Sequence, residues 1–136
     1  MEFSRTIKLS NHEKIVGNVE LSCSLIDNIA TIHYTDSNSV SGKAAGPSFF
    51  YALAEIRESY KHNNIFLLCF GSKRNVFPGG LTSESSFGEL AYEFNENEKD
   101  PIVVNIFDSI DLSELPLIGD LKEQKEKRRE SIRGQR

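Results

Sequence analysis

The sequence predicts an α+β domain: a mainly antiparallel sheet of five or six strands, one principal helix packed on it, and a C-terminal helical or mobile tail. Segments 3–9 and 19–25 alternate apolar and polar residues with a period of two, the mark of half-buried strands. Only one stretch of the body, from residue 47 to 61, repeats its apolar residues at helical spacing. Three further strand-like runs lie at 65–70, 89–94 and 101–107. With 136 residues the chain fits one domain whose core needs no disulfide or metal.

In chain order, Phe3, Arg5, Ile7 and Leu9 share one face of the first strand, and Asn11-His12 marks a turn. Val19, Leu21, Cys23 and Leu25 then line the core face of a second strand. Asp27-Asn28 is a two-residue turn candidate, and residues 29–35 return as its hairpin partner. Asp36 to Gly46 reads as a polar loop. Pro47 suits a first helical position, with Ser48 in the first turn. Phe49, Phe50, Leu53, Ile56, Arg57 and Tyr60 form the inner face, and Asn63-Asn64 can take the left-handed conformation that stops a helix.

The run Ile65-Phe66-Leu67-Leu68-Cys69-Phe70 is apolar throughout, which predicts a strand buried on both faces and central in the sheet. It leads into Gly71-Ser72-Lys73-Arg74-Asn75-Val76-Phe77-Pro78-Gly79-Gly80, a basic pair followed by a glycine-bearing turn. Such loops at strand ends are where folds hold polar residues for function. Alternation over 89–94 sets Glu89 and Glu93 opposite Leu90 and Phe94, pointing to solvent. Beyond Leu115-Pro116-Leu117-Ile118-Gly119, a linker-like break, Asp120 can cap a charged helix with too few apolar residues to bury a face. The organisation expected is a domain over 1–114 and a charged tail over 115–136.

Charge is unevenly spread. Residues 1–120 hold 9 Lys/Arg and 17 Asp/Glu, a balance of −8, whereas 121–136 hold 7 basic and 3 acidic residues, +4. An acidic body argues against nucleic acid and suits a basic protein partner, or it simply keeps the domain soluble. No stretch approaches the ~18 apolar residues of a membrane span, and the N-terminus lacks the layout of a signal peptide. Two distant cysteines, Cys23 and Cys69, each inside an apolar run, read as buried thiols, which together place the chain in the cytoplasm.

The usual catalytic templates go unmatched. His12, His33 and His62 have no metal-ligand spacing, and Gly79-Gly80 lacks the Lys and Ser/Thr of a phosphate loop. No cofactor or metal is expected. Arg74, with Lys73, could grip a partner carboxylate or phosphate, or satisfy carbonyls left open where the strand ends. Glu84, Glu89, Glu93, Glu96, Glu98, Asp100, Asp108 and Asp111 gather between the apolar run and the tail. Such a face steers a basic partner, or is merely a solvated strand and loop.

Leu67-Leu68-Cys69, Gly71, Lys73-Arg74, Asn75-Val76, Phe77-Pro78 and Gly80, taken together, resemble the signature of small bacterial immunity proteins. Those proteins are associated with polymorphic toxins of the Rhs and contact-dependent growth inhibition types. The preceding helix, with Pro47, Phe49, Ala52, Leu53 and Ile56-Arg57, and the following Val104, Ile106, Phe107 and Asp108 come in the same order. The likeness spans about residues 44–108; Phe70 stands where the pattern has Asn, and a glycine cluster after Gly80 is lacking. It implies protective binding to a cognate toxin C-terminal domain, a nuclease in many such systems, without enzymatic activity. Glu89, Glu93, Glu96 and Asp100, with Lys73 and Arg74, become the candidate partner-binding residues on charge grounds. Gly71, Pro78, Gly79 and Gly80 become the structural motif. The alternatives are a general protein-interaction module, or a small hydrolase or nucleic-acid-processing enzyme using Arg74 with carboxylates.

Overall fold

A computed structural model of the chain describes residues 1–79, 86–96 and 100–134. The fold is α+β, with one antiparallel sheet of five strands and a second of three. Strand β1 (Glu2–Ser10) pairs antiparallel with β2 (Ile15–Ile26). The Asn11 carboxamide oxygen shapes their turn, accepting from the backbone N–H groups of Glu13 and Lys14 at 2.8 Å each. Strand β3 (Ile29–Asp36) follows across Asp27-Asn28, whose φ values of 51° and 64° form a turn matching the natural strand twist.

Residues 36–46, expected as a loop, instead turn back as a fourth strand, β4 (Ser41–Gly46), on β3. Asp36 makes the turn: its Oδ1 accepts from Asn38 N at 2.8 Å and Val40 N at 3.0 Å. The strand was hidden because its side chains are small for a packing reason. A Cβ on Gly42 would collide with the Tyr34 ring, whereas one on Gly46 would meet the helix above at an ordinary contact distance of 3.4 Å. Small residues here serve close approach rather than flexibility.

Helix α1 (Phe49–Lys61) begins two residues later than its sequence suggests. Ser48 is the extended N-cap, its Oγ accepting from Tyr51 N at 3.3 Å, so Pro47 precedes the helix instead of opening it. Asn64 stops it in the left-handed conformation, φ 57°. Phe49, Phe50, Leu53 and Ile56 pack onto the inner sheet face of Ile7, Leu9, Val19, Leu21, Cys23 and Ile32. Each such side chain contributes about 1.5–3 kcal/mol on burial. The opposite sheet face is polar and uncovered; Ser4, Ser22, His33 and Lys43 form one exposed cross-strand row.

The apolar run at 65–70 does not form a central strand. Only Phe66–Leu67 (β5) pairs, at the edge beside β1, in the order β4-β3-β2-β1-β5. Leu68 and Cys69 are nonetheless buried, because the C-terminal part of the chain covers them: Ile110 N donates to the Leu68 carbonyl at 3.3 Å, and Cys69 bridges to Ser109. Continuous apolarity recorded burial, not position in a sheet. After a 3₁₀ turn at Phe70–Ser72 come β6 (Val76–Phe77), β7 (Leu90–Glu93) and β8 (Ile102–Asn105), which form the second sheet in that order.

The presumed linker is also built in. Asp111 and Glu114 form a capping box on a 3₁₀ helix at Leu112–Leu117. The chain then folds back on the loop after β5: Arg74 N donates to Leu117 O at 2.9 Å, and Gly119 N to Ser72 O at 3.0 Å. Asp120 caps helix α2 (Leu121–Gly134) as expected, its Oδ1 accepting from Glu123 N at 2.9 Å. The start of α2 is not a solvated tail, since Gln124 is fully buried. No helix among the described residues is long and apolar enough to cross a membrane.

Candidate functional site

The loop after β5 turns where Gly71 leaves no room for a side chain: a Cβ there would lie 2.9 Å from Leu53 Cδ2 and 3.0 Å from Ile106 Cβ. That close approach turns the Gly71 carbonyl toward Arg57 of α1. The Arg57 Nη1 donates to Gly71 O at 2.8 Å and to Gln124 Oε1 at 3.0 Å, and Nη2 donates to Gly119 O. Gln124 Nε2 completes the junction, donating to Gly71 O and Lys73 O at 2.9 Å each. A buried guanidinium and a buried carboxamide thus tie α1, the loop and α2 together. Burial pulls the Arg57 pKa below its ordinary value, yet a guanidinium stays protonated in proteins.

Lys73 faces inward rather than toward a partner. Its Nζ donates to Glu93 Oε2 at 2.5 Å and Glu114 Oε1 at 3.2 Å, above the Phe70 ring. Burial disfavours its charge, but the two carboxylates outweigh that and raise its pKa above the ordinary value. Arg74 donates from Nη1 to the Pro116 carbonyl at 3.2 Å. The carbonyl it meets belongs to the 3₁₀ helix at Leu112–Leu117, not to a strand end as the sequence suggested.

The acidic face is reassigned accordingly. In β7 it is Ala91 and Glu93 that are buried, opposite Val104 and Ile102 of β8, so Glu93 does not point to solvent. Glu89 accepts from Arg5 Nη2 at 2.9 Å and from Asn105 Nδ2 at 3.2 Å, linking the two sheets. Glu96 and Asp100 are exposed, as are Asp108 and Asp111. Glu84, Glu98 and Gly80 lie outside the described residues. The remaining motif residues are structural: Pro78 and Gly79 are buried, and a Cβ on Gly79 would strike the Tyr92 ring.

Both cysteines are free and buried. Burial pushes the Cys23 thiol up to about 12, and it raises Cys69 as well, whose Sγ lies 3.4 Å from Ser72 Oγ. Thiols so held are protonated and poor nucleophiles at neutral pH. Among the described residues, no three His, Cys, Asp or Glu side chains gather as a metal site.

Sequence reasoning placed Arg57 on the apolar stripe without giving it a role, and it passed over Gln124 and Glu114. An arginine among core positions was the available signal for the first. Nothing in a lysine- and glutamate-rich tail marks Gln124. The chain matches no family model, and a search of curated proteins finds no relative.

Proposed function

We propose that this chain is an immunity protein that binds a cognate bacterial toxin domain in the cytoplasm and neutralises it by steric and electrostatic occlusion. The observation that carries the reading is the acidic surplus of the body, 17 Asp/Glu against 9 Lys/Arg over residues 1–120. Arg57 and Lys73 are buried and committed to internal partners. The carboxylates of Asp36 and Glu93 are buried as well, so burial leaves that acidic surplus at the surface, with Glu96 and Asp100 among the exposed acids. Such a surface attracts a basic one, and a toxin that grips nucleic acid must present a basic groove. The resemblance of the Leu67–Gly80 segment to immunity proteins agrees with this. Partner contacts then fall on Glu96, Asp100 and the uncovered polar surface, whereas Lys73, Glu89 and Glu93 serve the scaffold.

Co-purification tests the reading. The chain, tagged, is co-expressed with an inactivated form of the candidate toxin domain and passed over a sizing column. A stable complex of the two is expected; separate elution at physiological salt would overturn the assignment.

A further inference from the structure

A groove of about 380 Å³ lies between α1 and the start of α2, near the lower end of the ~300–1,000 Å³ range of ligand pockets. Ile65, Phe66, Ile118 and Leu121 supply apolar wall, while Glu55, Glu58, Asp120 and Glu123 bring four carboxylates to its lining. Among the described residues two cations, Arg57 and Lys61, line it as well, and both are engaged. Arg57 donates to Gly71 O, Gly119 O and Gln124. Lys61 Nζ donates to Asp120 Oδ2 at 3.2 Å, showing that an ammonium on an alkyl stem suits this rim. Glu55, Glu58 and Glu123 remain exposed around it.

We propose that this groove receives a lysine or arginine side chain of the toxin partner, which makes it a specific contact of the immunity complex and rests on that reading. The alkyl stem lies along the apolar wall and the cation sits among Glu55, Glu58 and Glu123. An amphipathic cation of this type buries its stem while its charge stays among carboxylates and water. A free anion is disfavoured, because the lining carries a carboxylate surplus and its buried guanidinium is already bonded.

The test uses ¹⁵N-labelled full-length protein titrated with N-acetyl-arginine methylamide, and with N-acetyl-norleucine methylamide as the neutral probe of similar reach. Shifts confined to residues 54–61, 65–67 and 118–123 are expected with the cationic probe. Affinity for the neutral probe should be at least fivefold lower. The E55Q/E58Q variant, altered only at exposed positions, should weaken the cationic probe about fivefold, while E96Q/D100Q should leave it unchanged. Equal response to both probes, shifts spread over the whole acidic surface, or no shift at tens of millimolar probe would overturn the proposal. Since no toxin is present, such a failure leaves the co-purification result standing. Normal probe binding without a toxin complex would strike the immunity reading instead.

Discussion

At the level of single residues, charges that lie inside hold the scaffold together. Lys73 and Glu93 are both buried and meet at 2.5 Å. Removing one partner strands the other, so K73M should destabilise by about 3–5 kcal/mol, whereas K73M/E93L should recover most of that loss. Urea unfolding of the two singles and the double checks this; additive losses would contradict the pairing. Asp36 supplies the pH dependence. Burial disfavours its charge, but hydrogen bonds from Tyr60 Oη and from the N–H groups of Val40 and Asn38 outweigh it, and its pKa falls below the ordinary 3.8. Stabilisation by that carboxylate is complete above this value and is lost as the pH falls through the folded pKa. As the pH falls from 4 toward 2, wild type should therefore lose more stability than D36N, by about 1 kcal/mol. Parallel acid profiles would show that Asp36 is not the group responsible.

Among the elements, α2 is the one whose attachment differs most from its composition. Its mean character is charged, yet one buried carboxamide and one guanidinium fasten its first turns. Q124L takes the carboxamide donor from the Lys73 carbonyl and the acceptor from Arg57 Nη1, while Gly71 O keeps its bond from Arg57, and should cost about 2–3 kcal/mol. Hydrogen exchange should then accelerate in 121–131 ahead of α1; a uniform change across the molecule would mean that the junction does not hold the helix. The same contrast explains what the sequence disclosed. The hairpin at Asp27-Asn28, the face of α1, its asparagine stop and the Asp120 cap were legible because each is set by local chemistry. Strand β4 was not, since its small residues answer to Tyr34 and α1 from elsewhere in the chain. Residues 65–70 misled because burial under the 106–110 segment leaves the same apolar mark as a central strand. In the candidate site, Gly71, Pro78 and Gly79 were recognisable as backbone-shaping residues. The inward turn of Glu93 was not, because alternation separates two faces without saying which is covered.

Over the whole molecule, charge is segregated: an acidic body of −8 and a C-terminal segment of +4. Lys125 lies 5.9 Å from the Tyr51 ring and Arg128 5.2 Å from Phe94, so part of the basic helix rests on the body's aromatic side chains. The exposed carboxylates act on approach more than on final affinity. Reversal to E96K/D100K should slow association with the toxin about tenfold at low salt and much less at 0.5 M salt. Stopped-flow mixing measures this, and an unchanged rate at low salt would remove those two residues from the binding face. The proposed function requires protection of a host cell, and growth measures protection most directly. The active form of the toxin domain proposed as its partner is induced in a susceptible host, with and without this chain. Restored growth with the chain, undiminished by R74A, is the result predicted; growth arrest despite abundant folded chain would contradict it.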